Sequence, residues 1–320
     1  MKTRKVLFAS SRPIERAENI AAIFNGYSGI KDFTQLRRRT SKKIQEGDYA
    51  LIVTDEMLSE AHSQVILVGH GISGGKKSYL DQKNGYVKEN EYKFLDSAIT
   101  TSPEMIDISA RQLGVGREKV FALGMPRTDF YFGKSKGDGG TTLSRKRAYL
   151  YVPTFRGKTD PKFPEIDFTY IDSVLSDDEM FVVKPHMLMG KMLKNFYRHV
   201  TEISHDLPSA PYLIDCDVVI TDYSSIMFDG YLLGKPVVLF EKNRGYLDSR
   251  GMYLDYPYEY SSRYAVNEKE LIDILRKADG LTEVEKRCIE KTAGSCDGHS
   301  TERVCEFIKQ KVEEGSCSVL

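Results

Sequence analysis

A chain of 320 residues exceeds the usual single-domain size, so two domains of roughly 150 residues are expected. Lys plus Arg equals Asp plus Glu at 46 each, which leaves no global field to attract nucleic acid, and any recognition of anions is local. Only a short apolar run, Val6 to Ala9, follows the first residues, and no stretch approaches the ~20 apolar residues that span a bilayer. The expectation is a cytosolic protein, with attachment to a membrane surface left open. Its five cysteines, Cys216, Cys288, Cys296, Cys305 and Cys317, are odd in number and lack a CxxC spacing, which suits reduced thiols.

In chain order, Lys5 to Ala9 reads as a first strand and the segment from Pro13 to Gly26 as a helix. Arg37, Arg38, Arg39, Lys42 and Lys43 form a basic cluster. It is either a solvated face or a contact for an anionic membrane or phosphate-bearing acceptor. Tyr49 to Thr54 and Val65 to Val68 are further strands. The second of these ends in Gly69, His70, Gly71, Ile72, Ser73, Gly74 and Gly75, a loop with little bulk around its histidine. That histidine is open to a ligand, or else is a plain surface turn residue. Leu95 to Thr100 is a strand, Pro103 to Leu113 a helix with Ser102 as cap and Gly114 as stop, and Val120 to Leu123 a strand running into Pro126, Arg127, Thr128 and Asp129.

Composition then turns to Gly, Lys, Ser, Asp and Thr, and a linker is placed at 136–147, between an N-terminal domain of residues 1–135 and a C-terminal domain of residues 148–320 whose last helix is free to pack back on the first. The alternation restarts with a strand at Ala148 to Val152, a helix at Ile166 to Leu175 and a strand at Met180 to Val183 that leads into Lys184, Pro185 and His186. Asp177-Asp178 reads as a solvated turn. Met187 to Val200 has Met and Leu at helical spacing and predicts a helix, packed on its own sheet or lying on a membrane. Helices are expected near 268–278, 282–293 and 301–313. Strands alternating with helices in both halves predict two doubly wound α/β domains.

The densest chemical signal is Asp217 to Phe240. Val218, Val219 and Ile220 have the character of a buried parallel strand. Thr221, Asp222, Tyr223, Ser224 and Ser225 break it, and Ile226, Met227, Phe228, Tyr231 and Leu232 resume at helical spacing. Backbone N–H groups at such a helix start suit a phosphate, and Asp229 one turn further suits a ribose hydroxyl. The plainer alternative is that Ser224 only caps the helix. Ser300 is likewise expected to cap the last helix. No pair of acids or cluster of histidines stands at metal-ligand spacing, so no bound metal is expected.

Several motifs together resemble one family. His70-Gly71 after a strand, Gly124 to Asp129, Tyr151 to Arg156, Lys184-Pro185-His186, Thr221 to Asp229 and Asp297 to Arg303 stand in the order and approximate spacing of the CDP-glycerol glycerophosphotransferases, which build teichoic acids and related bacterial surface polymers. The resemblance implies a GT-B fold, two Rossmann-like domains facing a cleft, with the nucleotide held mainly by the second. It implies His70 as the base that takes the acceptor's proton and His186 as a contact for the donor diphosphate. Ser224, Ser225, Asp229, Thr221, Asp222, Lys184 and Arg156 become the donor-binding set, and Gly71, Pro126, Arg127, Asp129 and Ser300 line the cleft.

The implied donor is CDP-glycerol or CDP-ribitol, as a substrate rather than a cofactor, and the implied acceptor is a glycan or lipid-linked saccharide. Transfer of polyol phosphate with departure of CMP needs alignment and charge neutralisation more than covalent help. A serine-rich turn followed by an acid would serve a UDP-sugar transferase or epimerase equally well, and a non-catalytic nucleotide-binding subunit is a third reading.

Overall fold

The structure, a computed structural model, describes residues 4–77, 94–155, 166–186, 189–242, 247 and 251–317. The chain divides into two compact units, residues 1–130 with 291–320, and residues 131–290.

In the first unit, six strands form an all-parallel sheet: β1 Val6–Ser10, β2 Lys31–Gln35, β3 Leu51–Thr54, β4 Gln64–Leu67, β5 Ser97–Thr100 and β6 Val120–Ala122, ordered β2-β1-β3-β4-β5-β6. Strands β1, β3 and β5 are buried along their whole length, and β1 and β3 accordingly read as near-continuous apolar runs. Each face of the sheet carries its own core. One gathers Phe8, Ile20, Ile23, Val53 and Val68, and the other Leu7, Ile52, Val65, Leu67 and Val120.

The helix Ser300–Cys317 belongs to this unit. Val304 and Ile308 join the first of those cores, and the Cys305 thiol lies 3.7 Å from the Ile23 carbonyl. The helix expected near residues 301–313 thus contributes its apolar side chains to the core of the first unit.

The second unit holds β7 Arg147–Tyr151, β8 Glu179–Val183, β9 Val200–Glu202, β10 Val218–Thr221, β11 Val237–Phe240 and β12 Tyr264–Ala265, again all parallel, ordered β12-β11-β10-β7-β8-β9. Its core packs Tyr149, Tyr151, Phe181, Val218, Val238 and Leu271.

Three local expectations are corrected. The stretch 136–147 is not a linker between the units: it lies inside the second, where the buried Asp215 carboxylate accepts from the N–H groups of Gly137, Gly139 and Thr141. Met187 to Val200 is not a helix in its described part, 189–199. Glu202 accepts from the N–H groups of Met192 and Leu193, taking donors that helical bonding would have used, while Leu193 still enters the core. Ser102 does not cap the segment that follows it; its hydroxyl donates to the Lys291 carbonyl instead.

The basic cluster resolves into a turn at Arg37 to Thr40 and a short helix, Lys42–Glu46. Within it Lys43 is spent on Asp32, at 2.7 Å.

Candidate active site

In an open parallel sheet, the crevice for a ligand opens outside the carboxyl ends of the strands, at the point where strand order reverses. That rule marks two places here. In the first unit the reversal falls between β1 and β3; in the second it falls between β7 and β10.

At the second reversal, the two loops that leave β7 and β10 are tied to each other. One oxygen of Asp222 accepts from the N–H of Thr154 at 2.8 Å and of Tyr223 at 2.7 Å, and the Thr221 hydroxyl donates to the Val152 carbonyl at 2.6 Å. Thr221 and Asp222 are both buried, so they shape the turn after β10 rather than line its surface. Below the turn, the Tyr223 and Tyr264 hydroxyls donate to buried Glu241, and the Tyr256 hydroxyl donates to the Asp222 carbonyl. Tyr256 and Glu241 escaped sequence reasoning because they lie 34 and 19 residues beyond Asp222 and follow no local motif.

Ser224 and Ser225 remain half-buried at the start of the helix Ile226–Leu232. The Ser224 oxygen accepts from the Ile226 N–H at 3.4 Å, so the capping alternative holds for Ser224 in a weak form. Ser225 occupies the N-cap position yet its side chain caps nothing. Asp229, inside that helix, is only 1% exposed, which sets it beneath the turn.

His186 follows β8 and stacks on Phe155, with ring centroids 5.1 Å apart and planes 21° from parallel. This brings the loops after β7 and β8 together and fixes the imidazole plane. Buried Lys184 donates to the carbonyls of Pro185 and His205, both at 3.1 Å. Burial lowers its pKa, opposed by the Asp206 charge. Arg156 lies outside the described residues.

Beside the first reversal stands His70, in the loop after β4, the strand next to β3, with its side chain about half exposed at 49%. Nδ1 lies 3.7 Å from Asp55 Oδ2, and Nε2 lies 3.7 Å from Glu56 Oε1. Asp55 and Glu56 directly follow β3. The Ser10 hydroxyl, at the end of β1, donates to Asp55 at 3.1 Å, and the Ser11 hydroxyl donates to Glu56. Asp55 is 4% exposed; burial raises its pKa, opposed by the His70 charge and the Ser10 hydrogen bond and aided by Glu56. Sequence reasoning missed this acidic pair, although two carboxylates at the end of a buried strand were a signal of the same kind as His70 itself.

The remaining candidates of the first unit serve the loop after β6. Asn19 donates to the Gly69 carbonyl and accepts from the Arg127 N–H at 2.8 Å, so one side chain links the His70 loop to the Arg127 loop. Arg127 Nε lies 3.9 Å from Glu18. The Asp129 carboxylate accepts from the N–H groups of Ser300 at 3.0 Å and Thr301 at 2.6 Å, and the Pro126 carbonyl accepts from the Thr301 hydroxyl. Asp129, not Ser300, therefore caps the last helix. Gly124 makes this approach possible: its φ is +89°, and a Cβ there would meet the Ser295 carbonyl oxygen at 2.3 Å. Gly71 is half-buried beside His70. Among the described residues, no group of three His, Cys, Asp or Glu side chains is placed to hold a metal ion.

Two Rossmann-like sheets with polar loops at both strand-order reversals define an α/β protein of the GT-B class. The family model of CDP-Glycerol:Poly(glycerophosphate) glycerophosphotransferase matches residues 3–310, and the chain belongs to that family. Among its relatives is a teichoic acid poly(ribitol-phosphate) polymerase of Bacillus spizizenii, 28% identical over 76% of this chain and 40% of the relative. Another is a teichoic acid glycerol-phosphate transferase of Staphylococcus aureus, 27% identical over 75% of this chain and 67% of the relative. The chain thus matches well under half of the first and about two thirds of the second. In fold it resembles the wall teichoic acid polymerase TagF, with a TM-score of 0.78 at 18% identity over 97% of this chain and 90% of that one. It also resembles S. aureus MnaA solved with UDP, with a TM-score of 0.62 at 12% identity over 97% of both chains.

Proposed function

We propose that the chain transfers glycerol phosphate or ribitol phosphate from a CDP-polyol to a hydroxyl of a cell-surface glycan or lipid-linked saccharide, releasing CMP. The observation that carries this reading is the family match over residues 3–310. The relatives' names, a glycerol-phosphate transferase and a poly(ribitol-phosphate) polymerase, support both polyols.

In this reading the acceptor oxygen attacks the outer phosphorus of the CDP-polyol. A new O–P bond forms there, the bond from that phosphorus to the CMP oxygen breaks, and the acceptor's proton passes to His70. His70 suits this because its ring is half exposed beside a strand-order reversal, with Asp55 and Glu56 carboxylate oxygens 3.7 Å from its two nitrogens. The diphosphate is held by Ser224 and Ser225 in the turn after β10, with His186 as the contact that helps carry the charge on departing CMP. Lys184, whose ammonium is turned to two carbonyls, contributes positive potential rather than a direct contact. The CDP-polyol is a substrate, and the reading needs no resident cofactor.

No helix among the described residues is long and apolar enough to cross a membrane. We place the activity in the cytoplasm at the inner face of the cell membrane, where a lipid-linked acceptor would be presented.

Likeness to a UDP-bound structure favours one rival, a UDP-sugar enzyme. Thermal stabilisation separates the two, because a ligand held only by the native state raises the melting temperature. Cytidine diphosphate should raise Tm more than uridine diphosphate at equal concentration. A larger shift with the uridine nucleotide would favour the rival.

A further inference from the structure

Deepening the reading of His70 as the base, we propose that Asp55 is its positioning residue. Asp55 accepts the Nδ1 proton and fixes the ring's tautomer, so that Nε2 presents its lone pair to the acceptor hydroxyl. Glu56, beside Nε2, steadies the imidazolium once the proton has moved.

The geometry that supports this is the setting of the two carboxylates. Asp55 is buried, with Oδ2 receiving the Ser10 hydroxyl and Oδ1 buried without a hydrogen-bond partner. A buried carboxylate that leaves an oxygen unsatisfied is costly unless a donor reaches it. His70 is the donor at hand: its Nδ1 lies 3.7 Å from Oδ2, the oxygen that also receives Ser10, and a modest rotation of the half-exposed ring brings its N–H within bonding reach of the carboxylate. Burial meanwhile disfavours the charged form of Asp55, and the His70 charge counters that, so the two groups are electrostatically linked. Glu56 differs: its side chain is 27% exposed, so it faces Nε2 from the solvent side, and the Ser11 hydroxyl donates to it.

The ring's surroundings come from four elements. Asp55 and Glu56 follow β3, Ser10 and Ser11 stand at the end of β1, the Asn19 amide holds the Gly69 carbonyl next to the ring, and Gly69 and Gly71 flank it in its own loop. Fixing a neutral histidine in one tautomer through a buried carboxylate leaves the other nitrogen as base. Protons balance: the one on Nδ1 stays with the ring, and the one from the acceptor hydroxyl arrives at Nε2 and is lost to solvent after CMP departs.

The deciding measurement is the 15N spectrum of the imidazoles of the full chain at about pH 8, where histidine is mostly neutral, with the His70 signals assigned by their absence from His70→Gln. The proposal expects the Nδ1–H tautomer in the native protein and a reversion toward Nε2–H in Asp55→Ala. A native His70 in the Nε2–H tautomer overturns it.

Turnover of CDP-glycerol on an oligo(glycerophosphate) primer supplies the second arm. Asp55→Asn should lower kcat by about 10²-fold or more while the KM for CDP-glycerol changes little, since uniform binding is untouched. Its Tm should hold or rise, because the cost of burying a charge is removed. A His70→Gln protein that turns over normally would remove His70 as the base and leave the tautomer result standing. An inactive His70→Gln beside a fully active Asp55→Asn would instead overturn the positioning role alone.

Discussion

Two backbone N–H groups, those of Thr154 and Tyr223, end on one oxygen of Asp222, and neither has a neighbouring strand to turn to. A buried donor left without its acceptor costs about 1–3 kcal/mol. Asp222→Ala should therefore lower stability by about 2–4 kcal/mol, measured by denaturant midpoint, and weaken the stabilisation given by cytidine diphosphate in the same protein. Asp222→Asn, which keeps one carbonyl oxygen, should recover most of both. Equal nucleotide stabilisation in wild type and Asp222→Ala would show that this carboxylate does not shape the donor turn. The thiols pose a simpler test at the same scale. Cys216 and Cys305 are buried, and burial pushes the first up to about 12 and the second up to about 11. Both should resist a thiol reagent in the native state and react on unfolding.

Capping decides how the last helix is held in the first unit. Asp129 satisfies two N–H groups at its start and places a negative charge at the positive end of the dipole. Asp129→Ala should cost about 1–2 kcal/mol of stability, read from thermal unfolding. Asp129→Asn should cost less. Because this role is structural, the Kd for CDP-glycerol should stay near the wild-type value in the Asn variant, and a large loss there would assign Asp129 to the substrate instead.

Among the strands and helices, local pattern and distant contact divide the work of specifying the fold. The buried parallel strands β1, β3, β7 and β10 are legible in the sequence because they are largely apolar runs. The edge strand Lys31–Gln35 is not, since it mixes Lys, Asp, Thr and Gln and is mostly half-buried. Met187 to Val200 carries a helical pattern that the distant Glu202 carboxylate overrides. His70, His186 and the serine turn stand out as polar breaks at strand ends. Asp55 is a polar break of the same kind at the end of β3, but its pairing with His70 depends on β3 and β4 lying side by side.

Over the whole molecule, the two carboxylates most strongly depressed on folding, one in each unit, set much of the acid sensitivity. Burial alone would raise Glu179, but hydrogen bonds from Arg276, Tyr149 and Ser176 outweigh it and hold its pKa down to about 2. In the first unit, burial of Asp32 is likewise outweighed by Lys43, the Phe33 N–H and Tyr49, which bring it to about 2. A carboxyl depressed on folding contributes stability that is present above its ordinary value, 4.5 for Glu and 3.8 for Asp, and is lost as pH falls through the folded value near 2. Thermal midpoints should thus fall from about pH 4.5 downward, and Glu179→Gln should flatten part of that decline. An unchanged slope in the variant would exclude Glu179 as a source.

The central claim, CDP-polyol transfer, is tested most directly by CMP release. The full chain would be supplied with CDP-glycerol or CDP-ribitol and an oligo(glycerophosphate) or lipid-linked saccharide acceptor, and products followed by mass spectrometry. CDP-polyol transfer would give stoichiometric CMP and an acceptor heavier by one or more polyol phosphates, both abolished in His70→Ala at unchanged Tm. Turnover of a UDP-sugar with the CDP-polyols left intact would contradict it.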